Sequence, residues 1–215
     1  MQQRFFLAIL LTTIVLASFV PPTIGLFEAG KDIGSPKLAG YSAYDPSTKT
    51  YTMKGGGYNI WFERDEFQYL FREMEGDFTV SADFEFVGKG HDAHRKVGWM
   101  VRESTDDNAS HLSGVIHGDG LTVLQWRVKK GDKMRDPEDE IFSKEKAIQT
   151  IEVRREGNTY TMRGAAKGKP LQLIGTHEMP NFGTKVLVGL FVCSHNPDVL
   201  EESRVSNVVV RKGKK

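Results

Sequence analysis

Along GDFTVSADFEFVG the apolar positions fall on every second residue. Phe78, Val80, Ala82, Phe84 and Phe86 share one side, and Thr79, Ser81, Asp83 and Glu85 share the other. Period two predicts a strand with one face on a core and one in water. TKTYTMKGG predicts a shorter strand, entered from the turn-forming YDPST. AIQTIEVRREGNTYTMRGAA reads as a hairpin turning at Glu156-Gly157-Asn158. SHLSGVIHGDGLTVLQWRV reads as a second hairpin, with Asp119-Gly120 as a type I′ signal. VLVGLFVCS is apolar on both sides, which suits a central strand covered on both faces.

One segment is ambiguous. In FERDEFQYLFREMEG, Phe67, Leu70, Phe71 and Met74 have helical spacing, while Phe67, Tyr69 and Phe71 alternate. The strand reading is preferred, because Gly76-Asp77 follows at once and opens the clearest strand of the chain. No repeat, heptad or low-complexity linker is present. Many short strands separated by turn signals imply a sandwich or barrel built as one domain.

Composition narrows this further. The amino terminus, MQQR followed by the apolar run Phe5 to Val20 and then small residues, has the layout of a secretory signal peptide. Val15-Leu16-Ala17 and Thr23-Ile24-Gly25 both suit a signal peptidase. An uncleaved anchor is the alternative, but the run is shorter than the ~20 residues a spanning helix needs. The expected division is therefore a signal peptide over 1–25, one sandwich domain over 26–211 and a basic tail over 212–215, in a secreted or periplasmic protein. The chain has one cysteine, so no intrachain disulfide can form, and the core must hold the fold. Cys193, inside VLVGLFVCS, reads as a buried small hydrophobe. A net charge of +1 gives no reason to expect nucleic acid as a partner.

The order of short motifs is familiar. DIG at Asp32 to Gly34, then Gly40, YDPSTKTYTMKGGGYNIW, DEFQY, GDF, GWMVRES, HGDGLTVLQWR and GLFVCSHNPDVLEESRVSNV follow one another. This series resembles secreted bacterial modules of the concanavalin A-like, laminin-G-like β-sandwich class, many of unknown function, some found beside carbohydrate-active enzymes or ahead of TolB-like propellers. The resemblance implies an all-β, two-sheet antiparallel jelly-roll sandwich with one concave sheet on which relatives bind or cleave carbohydrate. Laminarinase-type members carry E-x-D-x-x-E on one strand. PEDEIF, from Pro137 to Phe142, is the nearest match here, with the wrong spacing and inside the charged stretch GDKMRDPEDEIFSKEK, which reads as a solvated loop.

Sugar sites combine an aromatic platform with hydrogen-bonding side chains. With Asp119-Gly120 at the turn centre, His117 faces Thr122, Val115 faces Leu124 and Ser113 faces Trp126. That face, with His111, becomes the candidate concave surface. The opposite face, with Leu112, Gly114, Ile116, Leu121, Val123, Gln125 and Arg127, becomes core. In VGWMVRES, alternation places Trp99, Val101 and Glu103 on one face and Met100 and Arg102 on the other. Arg102 or Arg127 is expected to pair with a carboxylate, since an unpaired buried charge is costly. The candidate carbohydrate-binding residues are Trp99, Glu103, His111, Ser113, His117 and Trp126.

Two loops offer other chemistry. GKGHDAHRK holds His91, Asp92, His94 and Arg95, which could bind zinc or line one end of a ligand groove. In SHNPDVLEES, Ser194 and His195 are adjacent, so on a strand they point to opposite faces and cannot act as nucleophile and base together. No catalytic residue, metal ligand or cofactor is assigned. The expectation is an exported, non-catalytic carbohydrate-binding module whose partner is a glycan or cell-wall polysaccharide, with other exported proteins as a further class of partner. The alternatives are a glycoside-cleaving enzyme on the same fold, with Glu103 the first acid to test, and a purely structural or interaction domain.

Overall fold

A computed structural model describes residues 23–135 and 137–213. The expected signal peptide lies outside them up to residue 22. Fourteen strands follow in order: β1 (Ala29–Ile33), β2 (Tyr41–Asp45), β3 (Thr50–Gly55), β4 (Phe67–Glu75), β5 (Phe78–Val87), β6 (Lys96–Arg102), β7 (His111–His117), β8 (Thr122–Arg127), β9 (Glu140–Phe142), β10 (Thr150–Glu156), β11 (Thr159–Ala165), β12 (Gln172–Glu178), β13 (Lys185–Cys193) and β14 (Glu201–Lys212). They form two antiparallel seven-stranded sheets. The first runs β1-β4-β13-β6-β7-β8-β9 and the second β12-β11-β10-β5-β14-β3-β2. Among the described residues no helix is long and apolar enough to cross a membrane.

The alternating segments fold as their pattern demands. On β5, Phe78, Val80, Ala82 and Phe84 are buried between the sheets, while Glu85 is exposed. The ambiguous segment is strand β4. It sends Leu70 and Met74 into the sandwich and Phe67 and Tyr69 to the outer side of the first sheet. β13 lies between β4 and β6 and is covered on both faces. The hairpin β10–β11 pairs Glu156 with Thr159, leaving Gly157, at φ 60°, and Asn158 as its loop. Ile24, which the sequence reading assigned to the signal peptide, packs against the core between the sheets.

The hairpin β7–β8 departs from its expected register by one residue. Ile116 pairs with Thr122, Ser113 with Gln125 and Leu112 with Trp126. Its loop is the three residues Gly118, Asp119 and Gly120. Gly120 N donates to His117 O, and Gly120 takes φ 87°, the geometry of a turn closed by a left-handed glycine rather than a two-residue type I′ turn. A slip of one residue exchanges the two faces of one strand relative to the other. Trp126 therefore joins Leu112 and Leu124 in the core between the sheets. Gln125 and Arg127 instead share the outer face with His111, Ser113 and His117.

That outer face is not open. The segment from Gly56 to Glu66, between β3 and β4, crosses it. Ile60 forms a second apolar cluster with Phe67, Tyr69, Met100, Val115, Val123, Phe191 and Cys193. Cys193 is fully buried there, and burial pushes its thiol up to about 11, which agrees with an inert, hydrophobe-like role.

Candidate functional site

Two polar assemblies lie on the outer face of the first sheet. The first is sealed. Asp65, from the covering segment, sits between Arg102 of β6 and Arg127 of β8, and all three side chains have no exposed surface. Arg102 Nη1 and Arg127 Nη1 each donate to Asp65 Oδ2 at 2.8 Å, and Arg127 Nη2 donates to Oδ1 at 2.7 Å. The remaining guanidinium donors reach backbone carbonyls, among them those of Asp106, Ala109, Asp132 and Phe62. The ion pair expected for Arg102 or Arg127 thus exists for both, with its carboxylate supplied by a loop rather than a neighbouring strand. Burial by itself would raise the Asp65 carboxyl; Arg102 and Arg127 override it and hold it below the ordinary range. His111 is buried beside this group, and burial, reinforced by the two arginines, holds it well below the usual imidazole value. This assembly fastens the covering segment to the sheet and offers no surface to a ligand.

The second assembly is open. A pocket of about 330 Å³ is lined by Asn59, Trp61, His94, Lys96, His117, Leu121, Gln125, Glu140, Phe142 and His195. Its floor is strand backbone and buried polar side chains: Lys96 is 4% exposed, His117 7% and Gln125 1%. Its margins are loops and the edge strand β9. Trp61 is half-buried and Phe142 is 45% exposed. Two further imidazoles stand close, with the His94 ring 5.8 Å from His117 and 5.5 Å from His195. His195 takes φ 59°, and its Nδ1 lies 3.4 Å from Asp92 Oδ1. Neither ring nitrogen of His117 meets a protein partner. Burial, then the Lys96 charge, lowers His117 to about 3, so it is neutral at pH 7. Burial and Lys96 also lower His195.

Of the six residues singled out from the sequence, His117 alone lines this pocket. Trp99 is fully buried between the sheets against Phe27 and Phe84. Trp126, 5% exposed, stacks on His177 across the sandwich with ring centroids 3.7 Å apart. His111 and Ser113 are fully buried beneath the covering segment. Glu103 is exposed just beyond β6, seven residues from Lys96 and so roughly 23 Å along an extended chain from the pocket. PEDEIF is not wholly a solvated loop: its last three residues form β9, and Glu140 and Phe142 line the pocket.

The two histidines of GKGHDAHRK diverge. His91 contacts Glu201, which also pairs with Arg95 at 2.6 Å, while His94 reaches the pocket margin. Among the described residues no group of three or more His, Cys, Asp or Glu side chains is arranged to hold a metal ion. Ser194 Oγ donates to backbone carbonyls and does not pair with His195. In another recess, on the outer face of the second sheet, Asp83 accepts hydrogen bonds from Thr150 and from Asn207. Trp61 lies in the non-alternating run GGGYNIWF, where no strand pattern assigns it a face.

No family model matches this chain, and no curated protein matches it in sequence. Solved structures do match its backbone. A functionally unknown protein from Saccharomyces cerevisiae is similar over 86% of this chain and 97% of its own, with a TM-score of 0.62 and 18% identity. Bacteroides ovatus xyloglucan PUL GH43B is similar over 93% of this chain but 41% of its own, with a TM-score of 0.54 and 15% identity, so this chain spans less than half of that protein. Alginate lyase A1-II′, of polysaccharide lyase family 7, is similar over 83% of this chain and 86% of its own, with a TM-score of 0.52 and 8% identity. The class these likenesses and the strand order define is the jelly-roll β-sandwich.

Proposed function

We propose that this domain binds a glycan in the pocket between Trp61, Phe142 and the floor of β6, β7 and β8. One observation carries the reading: a neutral buried imidazole, His117, whose two ring nitrogens have no protein partner, lines a pocket whose margins hold two aromatic rings. A pyranose offers an apolar face to a ring and hydroxyls to donors and acceptors, and Asn59, Gln125, His94 and His195 surround the same space. The sandwich is shared with proteins named for xyloglucan and for alginate, which supports the reading at the level of fold only. Binding without cleavage is preferred to hydrolysis. Glycoside hydrolysis ordinarily uses two carboxyl groups, and Glu140 is the only carboxylate among the described residues that line the pocket. The amino-terminal apolar run is the reason to place this activity outside the cytoplasm.

A glycan array read with the wild-type chain, Trp61→Ala and Phe142→Ala tests this. Wild type should retain at least one glycan, and each variant should weaken it by about tenfold with unchanged circular dichroism. Failure of the wild type to retain any glycan, or full retention by both variants together, would remove the proposal.

A further inference from the structure

Among the described residues, the cation in the pocket floor pairs directly with no carboxylate. Lys96 opens β6 and is 4% exposed. Its Nζ donates to Asn59 Oδ1 at 3.2 Å and to His94 O at 3.1 Å, both neutral acceptors. An ammonium has three donors, and the third is unassigned on a side chain that lines the pocket. Among the described residues no carboxylate lies within ion-pair distance of it.

Of the four other buried cations among the described residues, three meet a carboxylate and the fourth meets three carbonyls. Arg95 meets Glu201, and Arg102 and Arg127 meet Asp65. Arg155 spends its donors on the carbonyls of Gly157, Gly183 and Thr184. The carboxylates that act on Lys96 do so at longer range. Asp92 is engaged with the His94 amide and His195, and Asp119 with the Leu121 amide. Burial lowers the Lys96 ammonium, as expected of a charge held away from water without a partner. Glu140 stands on the opposite margin. β6 and β9 are separated by three strand spacings, which places their backbones roughly 14 Å apart. The floor thus runs from a positive end at Lys96, past His117 and Gln125, to an acidic end at Glu140.

We infer that the ligand of this pocket is an acidic sugar, whose carboxylate or sulfate group sits on Lys96 while its hydroxyls reach Gln125 and Glu140. This rests on the glycan reading above and narrows it to one chemical class. The bound anion supplies the charge that the fold withholds from Lys96, and the N–H groups of the neighbouring imidazoles add donors around it.

Calorimetric titration of the whole chain separates the two proposals. The probes are oligogalacturonate, glucuronoxylan and hyaluronan oligosaccharides, each beside its carboxyl-reduced counterpart, and dextran sulfate beside dextran. At least one acidic probe should bind, with affinity falling about tenfold or more when its charge is removed. Added salt should weaken that binding. Lys96→Met should abolish the preference for the charged form, and Lys96→Arg should restore part of it. Lys96→Met should also melt no lower than wild type, because it deletes an unpaired buried charge. If Lys96→Met does not fold, the comparison of charged with carboxyl-reduced probes on the wild type decides. Binding of neutral probes alone overturns the acidic-sugar inference and leaves the glycan reading intact. Binding of no probe, charged or neutral, overturns both. Binding of dextran sulfate but no uronate assigns the anion as sulfate.

Discussion

Replacing Asp65 with asparagine isolates the sealed ion group. The substitution conserves shape and removes the single carboxylate that serves two arginines without exposed surface. One or two of the three short charge-assisted hydrogen bonds are lost, depending on which way the amide turns, since its oxygen still accepts but its NH2 cannot accept from a guanidinium. The larger cost is electrostatic, because both guanidiniums stay buried with their charge uncompensated. Breaking a buried pair in this way costs about 3–5 kcal/mol. That is a large part of the ~5–15 kcal/mol that holds a domain folded. For a domain of this size each kcal/mol lowers Tm by about 2–4 °C, so Asp65→Asn should melt roughly 6–20 °C below wild type. Urea unfolding followed by tryptophan fluorescence gives the same difference as a free energy. The pH profile supplies an internal check. The carboxyl is lowered in the folded state, so its contribution is complete above its unfolded value of ~3.9 and is lost as the pH falls through the lower folded value. The gap between wild type and Asp65→Asn should hold steady from pH 7 to about 5 and close only in stronger acid. Adding Arg102→Met to Asp65→Asn should recover part of the loss, because it removes one of the uncompensated charges. A loss below about 1 kcal/mol, the value of an exposed pair, would refute the claim that this group anchors the covering segment.

Two further outcomes follow from burial. Trp126→Ala should cost about 3–5 kcal/mol in urea unfolding and leave glycan affinity of the folded fraction unchanged, since the ring stacks on His177 between the sheets and not in the pocket. His117 is lowered from 6.5 to about 3, so its contribution is complete above pH 6.5 and is lost as the pH falls toward 3. At ~1.36 kcal/mol per pH unit, about 2 kcal/mol should be gone by pH 5, and His117→Gln should flatten the acid limb of the stability curve by that amount.

Alternation reports which residues share a face; it does not report what covers the face. On β5 and β13 the two questions have one answer, because the covering layer is the opposite sheet or a neighbouring cluster that any apolar row recruits. That is why the sandwich, the central strand and the strand nature of Phe67–Glu75 were legible. On β7 and β8 the questions separate. The placement of Gly120 as the left-handed residue closing a three-residue loop, rather than as half of a two-residue turn, shifted pairing by one and carried Trp126 into the core. The covering layer itself came from Gly56 to Glu66, a glycine-rich run without period two, far along the chain from the strands it seals. His111 and Ser113 look from sequence like a ligand surface and are in fact buried beneath a lid made from the same chain, which Arg102 and Arg127 hold through Asp65. The pocket opens at one margin of that lid, beside Asn59 and Trp61, and the residues lining it come from five separate stretches. At Lys96 the relevant expectation is the one already attached to Arg102 and Arg127: a buried cation needs a partner. Among the described residues that expectation is met by Asp65 for both arginines and by no carboxylate for Lys96, and this difference separates the sealed polar cluster from the pocket proposed to bind a ligand.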